Sequence, residues 1–236
     1  MKILAIDSSS MVATVGILDN EVMVAEYTVN YKKTHSQTLL PMIDEIVRMT
    51  DFDLNELDAI AISGGPGSFT GLRIGSATAK GLGLALSKPL IHIPTMDALA
   101  YNMCGTQRLI CPLMDARRNQ VYTGLYHIED RELKVELPQS TYDIHEIIGM
   151  INQRGEDVVF LGDGVCAHKE TIEAETKIDY KFASAHMNMA RAGAVGALAE
   201  IYYDLGKIEN ASEHTPDYLR KSQAERELEE KQKSLN

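Results

Sequence analysis

Residues 63–75 read SGGPGSFTGLRIG and follow directly on an apolar run, DAIAIS, at 58–63. A short buried-type strand that runs into a glycine-dense turn and then a helix marks a place where something approaches the backbone closely. Two uses are open: a cradle for phosphate at a helix N-terminus, or tight packing. The strict nucleotide templates fail. A P-loop needs GxxxxGK[ST], and the first lysine after these glycines is Lys80; a GxGxxG starting at Gly65 meets Thr70 where its last glycine belongs. Gly64, Gly65 and Gly67 remain candidates for a generic anion site at the start of a helix expected over 71–86. That helix carries Gly71, Gly75, Ala79 and Gly83 on one i, i+4 ridge. A helical glycine costs about 0.8–1.0 kcal/mol relative to alanine, so the ridge implies a compensating close contact, with the chain's own sheet or with a second subunit.

Outward from this stretch, the elements repeat. Strands at 2–7, 12–18 and 21–29 read as a meander. A helix over 36–50 follows, with Leu39, Ile43, Ile46 and Val47 at helical spacing and Leu40 and Met42 broadening the apolar face. Pro41 either lies near its true first turn or kinks it. Strand 58–63, helix 71–86, strand 89–93 and a helix at 95–104 complete the half. The second half has strands at 109–114, 120–128 and 132–137, a helix at 143–153, a strand at 157–161, a second glycine turn (Gly162-Asp163-Gly164), and helices at 166–175 and 186–206. The expectation is an α/β chain of two subdomains, 1–104 and 105–236; whether the last helix packs back on the first half stays open at the level of sequence.

This βββαβα order, twice over, resembles the actin-like (ASKHA) plan, in which two halves face a cleft. On that plan the first hairpin, Asp7, Ser8 and Ser9, joins Gly64, Gly65, Gly67, Gly162, Asp163 and Gly164 as the candidate nucleotide cleft. Asp7 and Asp163 are expected to project toward it from opposing turns. Actin-like kinases carry DxGxT at the first hairpin; here Ser9 stands in the glycine's place and crowds the approach of phosphate. Efficient phosphoryl transfer is therefore not expected. No cofactor is required, and ATP or ADP is expected to bind weakly at most.

Composition narrows the classes. Of 236 residues, 44% are hydrophobic and 24% charged, as in ordinary globular proteins. The formal net charge of −11 argues against a surface that grips a nucleic-acid backbone by itself. The local basic pairs, Lys32-Lys33 and Arg117-Arg118, read as solvated turns. The N-terminal stretch is too short for a signal-peptide core and no 18-residue apolar run follows, so a cytoplasmic, membrane-free protein is expected. Three cysteines without CxxC read as buried thiols in a reducing compartment. The histidines at 35, 92, 127, 145, 168, 186 and 214 never fall within four residues of one another, so no HxxxH or HExxH metal pair exists. Ser63 lacks the GxSxG context of a nucleophile, and Cys166 with His168 reads as structural. Neither a catalytic residue nor a metal site is expected. The tail, 221–236, alternates in charge like an exposed helix.

MKILAIDSSS, GGPGSFTGLRIG, DARRNQVYTGLY, LGDG and PDYLR, in this order and spacing, resemble the TsaB (YeaZ) family over nearly the whole chain. The resemblance implies an actin-like paralogue of TsaD, the catalytic subunit that installs threonylcarbamoyl on the adenosine beside the tRNA anticodon. It also implies that this chain is not the catalyst. Where TsaD carries an HxxxH iron or zinc pair, Thr95 and Leu99 stand here, and neither replaces an imidazole. Members associate with themselves or with TsaD through N-terminal helices. Carried over, Leu39, Met42, Ile43 and Ile46 on one helix and Gly75, Ala79 and Gly83 on the other are the candidate partner-binding residues. A TsaE-type ATPase is a further implied partner, with tRNA reached only through the complex. The alternative reading is a small actin-like kinase resembling type III pantothenate kinases, which predicts tight ATP binding and turnover.

Overall fold

The computed structural model describes residues 1–31 and 33–220; the helix expected at 221–236 and Lys32 of the first basic pair lie outside them. Strand β1 (Lys2–Asp7) is buried from its second residue on, which a half-solvated strand would not be. The reason is its place in the sheet. β1 pairs antiparallel with β2 (Val12–Asp19) and parallel with β4 (Ala59–Gly65), and the order is β3-β2-β1-β4-β5, with β3 spanning Val22–Asn30 and β5 Leu90–Pro94. Both faces are covered, and the period-2 alternation of a strand divides the side chains between them. Leu4, Ile6, Ile60 and Ile62 point to the face of α1 (His35–Thr50) and α2 (Phe69–Leu86). Ile3, Ala5, Ala59 and Ala61 point to the opposite face, where α6 (Ala192–Asp204) lays Ala192, Val195, Leu198 and Ala199. Each fully buried isoleucine or leucine contributes about 1.5–3 kcal/mol.

The second sheet, β10-β9-β6-β7-β8, repeats the arrangement with β6 (Leu109–Asp115) at its centre. Its other strands are β7 (Gln120–Glu129), β8 (Glu132–Asp143), β9 (Val158–Leu161) and β10 (Tyr180–Phe182). α4 (Ile144–Arg154) and α5 (Asp163–Glu175) cover one face, with Ile144, Ile147, Ile148 and Ile151 against Leu109, Cys111 and Leu113. α3 (Thr95–Tyr101), buried at every position, is wedged between the sheets: Ala98 and Tyr101 join the core of the first half, Met96, Leu99 and Ala100 that of the second. The chain is thus a duplicated α/β protein of the actin-like class.

Several boundaries move for local reasons. α3 stops at Tyr101 rather than 104. β8 runs on to Asp143 because it stays paired with β7 beyond a bulge at Thr123–Tyr126. α6 begins at Ala192, since Arg191 before it is extended and bonds the His186 carbonyl. β10 is only three residues long, too short for a periodic signal. Pro41 lies inside α1 on its exposed side, where the missing N–H faces solvent rather than core. Arg117 and Arg118 do form an exposed turn, at positive φ.

After α6 the chain returns along the free edge of the first sheet. Leu90 and Glu209 exchange both backbone hydrogen bonds at 2.9 Å, Ala211 enters the core beside α2, and Lys80 donates to the carbonyls of Ser212 (3.0 Å) and His214 (2.9 Å). The return segment thereby closes an edge that would otherwise expose unpaired N–H and C=O groups. Among the described residues no helix is long and apolar enough to cross a membrane.

Candidate functional site at the junction of the two halves

The glycine turn packs onto the first hairpin. A Cβ on Gly67 would come within 2.9 Å of the Ser9 Cβ, and one on Gly71 or Gly75 would fall well under 3.0 Å from Ser8. Ser8 Oγ donates to the Gly71 carbonyl (2.9 Å), Ser68 N donates to the Ser9 carbonyl (2.6 Å), and Ser68 Oγ caps α2 by accepting from Gly71 N (3.3 Å). Ser8 and Ser9 therefore pack directly against the glycine turn and the first turns of α2. Gly64 lies against the His92 ring, and Gly65, at φ +125°, against the Asp217 backbone. Gly162, at φ +101°, and Gly164 lie against Leu113 in the same way.

Asp7 is turned inward. Its Oδ1 accepts from Ser9 N (2.8 Å) and Ser9 Oγ (2.7 Å), and Ser63 also donates to the carboxylate. Thr95 Oγ1 lies 2.9 Å from Ser63 Oγ and accepts from Gly65 N (3.1 Å). Because a carboxylate only accepts, the hydroxyl protons order into a relay from Gly65 N–H through Thr95 and Ser63 to Asp7. Burial pushes the Asp7 carboxyl up, against the pull of the Ser9 hydroxyl and amide. The expectation that Asp7 projects into an open cleft is corrected: its oxygens are used internally. Asp163 does reach the junction. Its Oδ1 accepts from Asp115 N (3.1 Å), and burial raises its carboxyl as well.

Between the halves, Ser10, Thr95, Leu99, Met114, Gly162, Asp163, Met189 and Ala190 line a cavity of about 10 Å³. That is room for about one water. Gln139 ties the halves beside it, donating to the Gly65 carbonyl (3.1 Å) and accepting from Met96 N (3.1 Å). Sequence reading missed Gln139, and gave no junction role to Ser63, weighed only as a nucleophile, or to Asp217, read only as part of PDYLR, because their partners are remote in the chain.

The partner-binding candidates require the larger correction. Leu39, Met42, Ile43 and Ile46 are 1–4% exposed and Ala79 is fully buried, all in the core of the first half. Gly75 faces Ser8 and Ile62, and Gly83 faces Ala211 and Leu90. The ridge exists, but it is the inward face, where small residues let α2 settle on β1, β4 and the return segment. The outward side of α1 and α2 instead presents Leu40, Pro41, Ala77, Gly81, Leu84 and Ala85. Nothing lies within 4 Å of a Cβ added at Gly81. The cysteine expectation is corrected too: Cys111 is buried, while Cys104 and Cys166 are exposed.

Comparison with known proteins places this geometry in a lineage. The family model described as "TsaD: tRNA N6-adenosine threonylcarbamoyltransferase" matches residues 23–228. The tRNA threonylcarbamoyladenosine biosynthesis protein TsaB of Bacillus subtilis is 33% identical over 235 residues, 99% of this chain and all of that protein. The Escherichia coli protein of the same name is 33% identical over 150 residues, 58% of this chain and 64% of its own length. Among solved structures, an uncharacterized Pseudomonas aeruginosa protein with similarity to peptidase YEAZ superposes with a TM-score of 0.80 at 24% identity, covering 93% of this chain and 99% of that one. Component A of Acidaminococcus fermentans (R)-2-hydroxyglutaryl-CoA dehydratase follows at 0.54 and 14% identity, over 88% and 100%. These likenesses bear on the fold alone; the end-to-end identity bears on the family. The chain belongs to the TsaB (YeaZ) family.

Proposed function

We propose that this chain is a non-catalytic dimerisation and activation subunit of the tRNA N6-threonylcarbamoyladenosine transferase complex, which binds and supports a TsaD-type catalytic subunit in the cytoplasm. A TsaE-type ATPase and a second copy of the chain are its further partners, and tRNA is reached through the complex. One observation carries the reading. On the resemblance to TsaD, Thr95 and Leu99 stand where the HxxxH pair would be, and here the Thr95 hydroxyl is consumed by Ser63 and Gly65 while Leu99 is packed in the core. Neutral nitrogen donors are replaced by a structural hydroxyl and a hydrocarbon. The curated relatives named for threonylcarbamoyladenosine biosynthesis support the pathway, and the net charge of −11 supports a subunit that leaves RNA contact to others. In this reading no cofactor is required, and ATP or ADP is held weakly at most.

The docking face in this proposal is the outward side of α1 and α2, where Ala77 and Gly81 leave room for another helix to approach and Leu40 and Leu84 supply apolar area. Light scattering on a mixture with the TsaD-type protein of the same cell tests it. The expected result is a stoichiometric complex that Gly81→Arg abolishes while the variant's own melting temperature stays near the parent's. Absence of a complex with the parent chain, its survival in Gly81→Arg, or tRNA modification or ATP turnover by this chain alone overturns the proposal.

A further inference from the structure

The exposed side of α2 carries a second ridge, opposite the buried one. Arg73, Ala77, Gly81 and Ala85 follow one another at i, i+4 spacing and are all exposed. Arg73 stands at the N-terminal end, its guanidinium carbon 4.2 Å from the centroid of the Phe69 ring. Phe69 in turn packs on Tyr218, with 4.7 Å between centroids, and Tyr218 and its neighbour Leu219 are 41% and 42% exposed. Arg220, next along, donates to the Ala116 carbonyl, and the residues after Ala116 are the exposed Arg117 and Arg118. A line of contacts therefore runs from the end of the ridge through the aromatic pair to the arginine turn of the second half.

We propose, on the reading that α1 and α2 form the docking face, that Arg73, Arg117 and Arg118 are the charged end of that face and bind the carboxylates of an acidic segment on the partner subunit. The pairing of arginines across the chain carries the proposal. Arg48, Arg108, Arg131, Arg154 and Arg191 each hold a carboxylate within 4.0 Å. Arg220 is engaged by a backbone carbonyl. Among the described residues, no carboxylate pairs with Arg73, Arg117 or Arg118. In a chain with a net charge of −11, carboxylates are abundant, so three neighbouring guanidiniums without one form a local positive surface. The nearby carboxylates do not fill it. Asp115 Oδ1 accepts from the Arg117 amide (2.8 Å), and Asp217 Oδ2 faces His92 Nε2 at 3.2 Å.

The backbone of the turn points the same way. Arg117, Arg118 and Asn119 have φ of +65°, +57° and +59°, a left-handed conformation that glycine adopts at no steric cost and arginine does not. Arginines kept at strained positions on an exposed turn are there for what their side chains reach. A guanidinium takes a carboxylate through two parallel N–H bonds, which fixes orientation as well as charge. Exposed Tyr218 and Leu219 beside arginines are the composition of a protein-interface hot spot. A nucleic-acid face is basic at large, which a chain of this net charge is not. The partner is therefore a protein surface that offers carboxylates beyond the N-terminal end of α2, in line with the Ala77–Gly81 contact. Its contact spans both halves of this chain.

The test is the rate of association with the TsaD-type protein of the same cell, followed by stopped flow at low salt and at roughly 0.5 M salt. Charge reversal in the double variant Arg117→Glu, Arg118→Glu should slow association by about tenfold or more at low salt, and the gap should narrow at high salt. Lys177→Glu with Lys181→Glu makes the same change in net charge at exposed positions by β10 and should leave the rate within about twofold. If the arginine reversal does not fold, Arg117→Ala with Arg118→Ala takes its place, with the same direction expected. Equal rates in the parent and the arginine variant, or an equal loss in the lysine variant, overturn the proposal. So does normal association accompanied by lost tRNA binding of the complex, which would give the arginines to RNA, or by lost self-association alone, which would give them to a second copy. Absence of any complex with the parent chain overturns the docking face itself, and this extension with it.

Discussion

The small-residue ridge of α2 makes a prediction in which one chemical change has opposite signs at two positions. Gly71→Ala and Gly81→Ala each add one methyl group to the same helix. At Gly81 the new Cβ meets nothing within 4 Å, so the gain is helix propensity alone, about 0.8–1.0 kcal/mol. At Gly71 the Cβ would fall well under 3.0 Å from the Ser8 backbone carbonyl, which no rotamer change relieves. The Ser8–Ser10 turn must move, and with it the bond from Ser8 Oγ to the Gly71 carbonyl. Overpacking costs about 1–3 kcal/mol and the lost bond about 1. Less a helix gain of at most about 1, Gly71→Ala is expected to destabilise by about 1–3 kcal/mol. The two variants should thus differ by about 2–4 kcal/mol, roughly 4–16 °C in melting temperature for a chain of this size. Urea unfolding with unchanged m-values measures the difference. Variants of equal stability would refute the argument that the ridge is internal packing. By the same logic Ala79→Arg, which buries a cation in the core, should unfold the protein rather than merely release a partner.

A carboxyl whose pKa is raised by folding contributes stability fully below its unfolded value, about 3.9 for aspartate, and loses it as pH rises through the folded value. Asp7 is such a group, so the urea midpoint of Asp7→Asn relative to the parent should rise as pH climbs above about 4; a constant or falling difference refutes the assignment. In native protein at mildly alkaline pH, Cys104 and Cys166 should react with a thiol reagent and Cys111, buried and pushed up to about 12, only after unfolding. Three reactive thiols in the native state would contradict the packing around β6.

The amino-acid order by itself determined the duplicated strand and helix sequence, the glycine turn after β4 and the family motifs, because these are local: a period, a breaker or a string is legible without knowing what lies across the fold. It also established that α2 has a face of small residues. Periodicity defines a face but not its direction, since short side chains admit a neighbouring backbone whether that belongs to the chain's own hairpin or to another subunit. Only tertiary structure turned Gly71, Gly75, Ala79 and Gly83 inward and left Ala77 and Gly81 outside. The same holds for the histidines. A census by spacing finds no pair, yet the backbone pairing of Leu90 with Glu209 brings His92 and His214 together. Long-range register, which depends on how a whole sheet edge is closed, decides proximities that no local pattern encodes.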